Sequence, residues 1–328
     1  MVAQVKACAV FTLVSFPLAL SLAPAEMDRL NAGEAVVDVL PAEDPTVAIR
    51  AATKIDAGGH RLVAWTRRVE RLQTAPYSSS IGRFSDPPRI EDLDRLSIDD
   101  GDLLDLRRCR PGRCGLKLDD AEIARIRQAI ALADGDWKQA AQAAFRGVVL
   151  ERVRRYALHG HTAATASYHD RRTPVLLDSE FAAVAADVAI SHPQYFPVTN
   201  YLALYPKGDG AGVESMFYWS KDSLGVKPIV SVTHVAILES KNPRGLEAVV
   251  ARKQVYASHY ITASLSVTAV GHAPGGTQQY LVYLNHTRAD IFDGMLGGVI
   301  RRLIERRLRG EGPKVLQTMR GRLESGEP

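Results

Sequence analysis

Residues 251–270 read ARKQVYASHYITASLSVTAV, and this stretch decides the fold. Odd-numbered positions are mostly apolar, whereas even-numbered positions mostly carry hydroxyl, amide or cationic groups. Because successive side chains of a strand point to opposite faces of a sheet, the pattern predicts one long antiparallel strand with an apolar inner face and a hydroxyl-rich outer face. Lys253 and His259 interrupt the apolar face. A cation and an imidazole in such positions indicate either the lining of a cavity or the edge of a sheet.

The rest of the chain predicts more strands around a helical middle segment. Turn residues at 206–210 and 273–276 separate extended runs, which indicates an antiparallel meander from residue 200 onward. Helices are predicted after Asp119, which has capping-box spacing to Glu122, and after Asp136. At the C-terminus two helices are predicted, because residues 310–313 include two glycines and a proline. The predicted strands are 35–40, 47–56, 81–84, 201–205, 213–221, 229–239, 251–270 and 279–288, and further predicted helices are 61–73 and 178–190.

The N-terminus has the composition of a secretory signal peptide. Lys6 precedes the apolar run 7–22, and small residues stand before a cleavage site after Ala25. An uncleaved N-terminal anchor is the alternative. We therefore expect residues 26–328 to form a single periplasmic or secreted domain. The formal net charge of +4 falls to +3 without Lys6, a value too small to indicate a nucleic-acid partner.

Three cysteines support export, because Cys8 would leave with the signal peptide and an even pair would remain. Cys109 and Cys114 flank the sequence Arg-Pro-Gly-Arg, in which Pro-Gly favours a tight turn. In an oxidising compartment this arrangement predicts a disulfide. The spacing differs from that of redox motifs, and two thiols alone do not form a zinc site. The predicted disulfide would be a structural staple in a helical insertion at residues 101–175.

The order of these elements resembles the START-like, or SRPBCC, helix-grip superfamily. Residues 46–72, a strand followed by a Gly-Gly turn and a helix, resemble its first elements, and residues 200–325 resemble its sheet and gripping helix. The insertion at 101–175 departs from this pattern. The resemblance implies an α+β fold in which a curved antiparallel sheet grips a long C-terminal helix around an apolar cavity. Both carriers and enzymes occur in that superfamily, so the site must decide the function.

One candidate site lies on the apolar face of the predicted sheet. His234 shares the apolar face of strand 229–239, and the same surface would receive Lys253 and His259. Burial lowers the pKa of histidine and lysine, which suits proton transfer or the binding of an acidic head group. The alternative is that these residues are structural, with hydrogen bonds to the backbone or with side chains at strand ends.

A second candidate cluster joins the last strand to the C-terminal helix. It contains Asn285, Arg288 and Asp290, and Arg288 could pair with Asp290, with Asp293 or with an anionic ligand. The preferred interpretation is a structural lock between strand and helix. If the helix covers a cavity, both interpretations hold.

The histidines of the helical insertion are the only metal candidates in the sequence. His159, His161 and His169 have residue types that bind zinc, but their spacing matches no established pattern. Gly160 also suits a helix terminus, where a histidine is favourable against the helix dipole. We therefore expect no metal and no other cofactor.

These features together favour an exported binding or carrier protein for a hydrophobic, lipid-like small molecule, with an acidic head group as one option, held in a cavity between the sheet and the C-terminal helix. The alternative is an enzyme, cyclase-like or hydrolase-like, with His234 or His259 as general base and Lys253 or Arg288 stabilising an anion. Arginines crowd the polar side of the terminal helix and suit a peripheral contact with anionic lipids, although solvated arginines are the simpler interpretation. The arginines assigned to this contact are Arg301, Arg302, Arg306 and Arg307.

Overall fold

An open, eight-stranded antiparallel sheet forms the centre of the molecule, in the strand order β1-β2-β10-β9-β8-β7-β6-β3. The computed structural model describes residues 24–43, 45–74, 78–160, 166–167, 175–223, 227–240, 245–273, 276–293 and 296–326. A separate ribbon is formed by β4 and β5. The strands are β1 Val36–Leu40, β2 Thr46–Lys54, β3 Ser78–Arg83, β4 Ala166–Ser167, β5 Val175–Leu176, β6 Val213–Asp222, β7 Ile229–Glu239, β8 Leu246–Ala257, β9 Ile261–His272 and β10 Gln279–Ala289.

Helices lie between β3 and β6, near the N-terminus and at the C-terminus. The described part of the chain contains α1 Pro24–Asn31, α2 Gly59–Arg67, α3 Asp100–Arg108, α4 Asp120–Ala131, α5 Trp137–His159, α6 Leu177–Ser191, α7 Phe196–Leu204 and α8 Gly297–Ser325. Short 3₁₀ helices occur at 69–74, 90–93, 193–195 and 290–292. The predicted α+β class, with an antiparallel sheet, a helical insertion and a long C-terminal helix, is confirmed. No helix among the described residues has both the length and the apolar character needed to cross a membrane.

The sheet has two faces with different surroundings. We call the face that carries Ala251, Leu265 and Leu284 the inner face, and α6 and α7 pack on it with a cluster of buried apolar side chains. The helices α3, α4 and α5 form a second core that reaches the same sheet through Val232 and Tyr256. The inner face is therefore covered by the helices that lie between β3 and β6.

The other face, which we call the outer face, is only partly covered. Apolar residues such as Val250 and Val270 pack there against Leu62 of α2 and against Leu316 and Leu323 of α8. The helix α8 makes its main contacts with the edge strand β1 and its neighbour β2. The remaining part of the outer face, on β6 to β9, carries mostly polar side chains.

Residues 251–270 form a hairpin, so the prediction of a single long strand was wrong. β8 ends at Ala257, and β9 starts at Ile261 after a turn in which Tyr260 has a φ of 56°. The turn is held by Ser258, whose Oγ accepts the backbone N–H of Val230 at 2.9 Å. The turn contains no glycine or proline, and the alternation resumes on the same faces after it. That continuity is why the sequence pattern did not show the turn.

Two further predictions were wrong. Residues 201–205 were predicted as a strand but belong largely to α7, where the neighbouring residues Tyr201 and Leu202 are both buried. The C-terminal pair of helices is one continuous helix, α8, that passes through Pro313. Proline in a helix interior removes one backbone hydrogen bond at a cost of about 3 kcal/mol, which packing of Leu316 and Leu323 on the sheet offsets.

The predicted disulfide is present. The Sγ atoms of Cys109 and Cys114 are 2.03 Å apart, directly after α3. Both cysteines are buried, and they pack in the core of α3, α4 and α5. The staple therefore stabilises the segment that precedes α4.

Candidate functional site

Lys253 and His234 are direct neighbours across the pair of strands β8 and β7, on the inner face. Both side chains are fully buried. The Nζ of Lys253 donates a hydrogen bond to the carbonyl oxygen of Leu202 at 2.9 Å and lies 4.1 Å from the ring centroid of Phe181. Burial lowers the pKa of Lys253 well below its ordinary value, because the charged ammonium loses its hydration. The inner face therefore holds an amine whose charged form is destabilised by burial.

Aromatic side chains enclose His234. Its Nδ1 shares a hydrogen bond of 3.0 Å with the hydroxyl of Tyr156, on α5. Ring centroids of Tyr205 and Phe217 lie 4.4 and 4.6 Å from that of the imidazole. Burial raises the pKa of Tyr156 well above its ordinary value, so this hydroxyl remains protonated. The arrangement is a packed aromatic core with one internal hydrogen bond.

His259 has a different environment, in the turn between β8 and β9. Its Nε2 lies 3.0 Å from Oδ2 of Asp102, which belongs to α3, and both side chains are buried. Asp102 also lies 3.5 Å from the Nζ of Lys227. These contacts attach the hairpin to the helical insertion. Of the three residues that the sequence predicts to converge, His234 and Lys253 meet, and His259 interacts with α3.

The predicted cluster near the last strand divides into separate contacts. Arg288 Nε donates to Glu180 Oε2 of α6 at 2.8 Å, and Asp290 forms a buried ion pair with Lys117. Asn285 lies on the outer face, where its Nδ2 donates to Ser264 Oγ at 3.2 Å. Sequence reasoning missed the two ion-pair partners because they are 108 and 173 residues away along the chain.

The histidines proposed as metal ligands are only partly described. His159 is exposed at the end of α5, and Gly160 follows it as the helix terminus with a φ of 61°. His161 and His169 lie outside the described residues. Within the described ranges, no group of three or more His, Cys, Asp or Glu side chains is arranged to hold a metal ion.

A hollow of about 160 Å³ opens on the outer face, over β6 to β9; we call it the outer-face hollow. Apolar cavities of about 150 Å³ in proteins hold a molecule the size of benzene, so the hollow has room for a head group rather than for a whole lipid. Hydroxyl, amide and charged groups dominate its lining. Six of the lining residues are Ser231, Thr233, Arg252, Gln254, Ser264 and Ser266.

Arg252 is the notable charge in this hollow. Its guanidinium is half-buried and donates from Nη1 to Thr268 Oγ1 at 3.1 Å. No carboxylate of the described residues lies within ion-pair distance of it. The planar guanidinium of arginine carries five N–H donors and no acceptor. Arg252 therefore supplies five N–H groups in a fork, without a protein counter-ion among the described residues.

The acid at the other end of the hollow does not neutralise Arg252. Asp222 also lines the hollow, and burial raises its pKa although Ser220 donates a hydrogen bond to it at 2.6 Å. Arg252 of β8 lies opposite Val235 of β7, and Val235 lies opposite Met216 of β6. Met216 is six residues from Asp222 along β6. At ~3.3 Å per residue the two positions are roughly 20 Å apart along the strand direction.

Polar neighbours are arranged around Arg252. Gln254 Nε2 donates to Ser231 Oγ at 3.3 Å, and Ser264 Oγ lies 2.8 Å from Thr287 Oγ1. The hydroxyl of Tyr283 stays neutral, because burial raises its pKa. Hydroxyl and amide groups of this kind can donate hydrogen bonds to the oxygens of an anion that Arg252 holds.

The sequence contained a sign of this site that the prediction did not use. Arg252 stands on the hydroxyl-rich side of the alternating stretch, among Gln254, Ser264 and Ser266. The hollow itself is lined by residues of four strands, β6 to β9, which occupy separate segments of the chain.

Comparison with known proteins leaves the function to be argued from this geometry. No protein-family model matches the chain, and no curated protein or solved structure matches it either.

Proposed function

We propose that the protein binds and carries a small molecule with an acidic group, and that this group lies in the outer-face hollow against Arg252. The observation that carries the proposal is a half-buried guanidinium without a carboxylate partner among the described residues. Arginine binds carboxylate, sulfate and phosphate groups through two parallel N–H···O bonds. A half-buried charge without a counter-ion is unfavourable, and an anionic ligand would supply the missing counter-ion.

The rest of the ligand would extend beyond the hollow. A volume of about 160 Å³ accommodates the head group, and Ile229 and Ile261 at the lining offer apolar contacts next to it. A lipid-like ligand would therefore keep its hydrocarbon part outside the hollow. This differs from a fully enclosed ligand, which the resemblance to START-like proteins implies.

A START-like relationship and export remain parts of the proposal. The succession of β2, α2, the antiparallel strands β6 to β10 and the long helix α8 supports the relationship. Both α2 and α8 pack on the outer face, the face with the hollow. The composition of residues 1–25 and the Cys109–Cys114 disulfide support an exported protein, because disulfides persist in oxidising compartments.

Native mass spectrometry of the purified protein tests the proposal. We expect an anionic small molecule to accompany the wild type and to be absent from Arg252→Gln. The matched control is Arg127→Gln, which removes an exposed arginine of α4. A wild type that carries no small molecule, or an Arg252→Gln protein that carries the same one, would contradict the proposal.

An enzyme that uses the inner-face residues is the second candidate. The hydrogen-bonded pair Tyr156 and His234 lies next to Lys253, whose pKa is lowered, and perturbed groups of this kind occur at catalytic sites. A reaction there would require the aromatic enclosure to open. The variant His234→Gln separates the two candidates, because the binding proposal predicts unchanged occupancy by the co-purifying anion.

A further inference from the structure

We propose that the first half of α8 docks on an anionic membrane surface. Three apolar side chains at the start of α8 are largely exposed to solvent: Leu296, Val299 and Leu303 are 68%, 62% and 65% exposed. They are spaced three and four residues apart, so they lie on one side of the helix. Apolar groups that face solvent together in this way are typical of an interaction surface.

The arrangement around the helix has the order expected of an interfacial helix. At about 100° per residue, the three apolar side chains lie at the centre of an exposed arc of roughly 140°. Arg302 and Arg306 lie at one border of this arc. Exposed Arg307 lies at the other border. Apolar groups could then enter the lipid while the arginines on both sides reach the head groups.

The opposite side of the same helix is used for packing. Ile300, Ile304 and Leu308 are half-buried there. Arg301 belongs to this side as well, since its Nη2 donates to the carbonyl oxygen of Thr46 at 2.6 Å and its Nε to Glu305 at 3.0 Å. Arg301 therefore anchors the helix to the body, and the docking surface excludes it.

The positive charge of the surface is concentrated on two residues. Arg302 and Arg306 are exposed and form no ion pair with any residue in the described ranges. Arg307 is exposed too, but it pairs with Glu311 at 3.0 Å. Among residues 296–307 the only acid is Glu305, which is half-buried and hydrogen-bonded to Arg301. The arc is therefore basic and apolar, which complements an anionic lipid surface.

This inference does not depend on the proposed ligand site. The outer-face hollow lies on β6 to β9, whereas the docking surface lies on a helix whose main contacts are with β1 and β2. A protein without a ligand could still dock. A protein that does not dock could still bind its ligand.

Co-flotation with vesicles measures the docking. The purified full chain is mixed with vesicles of phosphatidylcholine, or of phosphatidylcholine with phosphatidylglycerol. We expect binding to the anionic vesicles only, and weaker binding at high salt. In the double variant Arg302→Ala, Arg306→Ala the partition coefficient should fall roughly 25-fold, since each arginine near such a surface contributes about a fivefold factor.

Further variants separate a membrane from other partners. Val299→Ser with Leu303→Ser should also lose binding, because the apolar part of the surface enters the lipid. The control Arg108→Ala with Arg127→Ala removes two exposed arginines elsewhere and should bind as the wild type does. All proteins keep residues 1–25, so any effect of that segment is common to them. Circular dichroism checks that each variant is folded.

Three results would overturn the proposal. The first is the absence of binding to the anionic vesicles. The second is equal binding to both kinds of vesicle. The third is binding that the α8 variants reduce no more than the control does. In the last two cases the arc on α8 would be a surface for a different partner or a solvated face.

Discussion

His192 and His286 should make the protein lose stability in mild acid. Both imidazoles are buried on the inner face, and their ring centroids are 6.1 Å apart. Nε2 of His192 and both ring nitrogens of His286 have no hydrogen-bond partner among the described residues. Burial, together with the smaller effects of the neighbouring His286 and Arg50, lowers the pKa of His192 to about 4. Burial also lowers the pKa of His286.

The size of the effect follows from the two pKa values of His192. The ordinary value is 6.5 and the folded value is about 4. Between these values the unfolded chain binds more protons than the folded protein, so the free energy of unfolding falls as the pH decreases from about 6.5 towards 4. Integrated from pH 7 to pH 5, the loss from this one residue is about 2 kcal/mol.

Urea unfolding at pH 7, 6 and 5 measures this loss. The variant His192→Gln should show a pH dependence that is smaller by about 2 kcal/mol over the same interval. His60→Gln, which removes an exposed histidine of α2, is the matched control and should keep the wild-type dependence. The reasoning is refuted if His192→Gln loses as much stability between pH 7 and pH 5 as the wild type.

Three other substitutions test individual contacts by urea unfolding. Replacing Cys109 and Cys114 by Ala should lower the free energy of unfolding by about 2 kcal/mol, since the disulfide closes a short loop. An unchanged urea midpoint would contradict this. Glu122→Gln should cost about 3 kcal/mol or more, because it leaves the buried guanidinium of Arg152 without its carboxylate, and a cost below 1 kcal/mol would argue against it. Lys253→Met should change the free energy of unfolding by less than about 1.5 kcal/mol, because the amine is buried in a mainly aromatic environment. A loss of several kcal/mol would show instead that the hydrogen bond from Lys253 to Leu202 contributes most to the stability at this position.

The alternation in residues 251–270 predicted the faces of the sheet better than its connections. Ala251 and Lys253 of β8 share the inner face with Leu265 of β9, as the odd-numbered pattern predicted. The turn at Tyr260 could not be predicted, because its backbone hydrogen bonds join segments that are distant in sequence. The N–H of Ser258 donates to the carbonyl oxygen of Val230 of β7, and the carbonyl oxygens of Ser258 and Tyr260 accept from Lys117 and Asp290. Alternation reports which side of a sheet a residue faces, and it carries no information on where the chain reverses.

The candidate site was less predictable than the fold. The sequence placed His234 and Lys253 on one face, but it could not show that Tyr205 and Phe217 would close around them. Tyr205 directly follows α7, whose residues 201–204 were predicted as part of a strand, and Phe217 belongs to β6. Arg252 was visible in the sequence, yet the hollow around it is lined by residues of four strands, β6 to β9, whose assembly the sequence does not show. Packing between distant segments therefore decided which polar groups remained accessible.

Titration calorimetry with an acid and its amide tests the central claim, that Arg252 binds an acidic group in the outer-face hollow. Benzoate and benzamide suit a hollow of about 160 Å³ and differ mainly in charge. For the wild type we predict that benzoate binds at least 10-fold more tightly than benzamide, since a hydrogen bond to a charged group contributes about 1.5–3 kcal/mol. For Arg252→Gln the difference should vanish. Failure of benzoate to bind, equal affinities in the wild type, or a difference that persists in the variant would contradict the account.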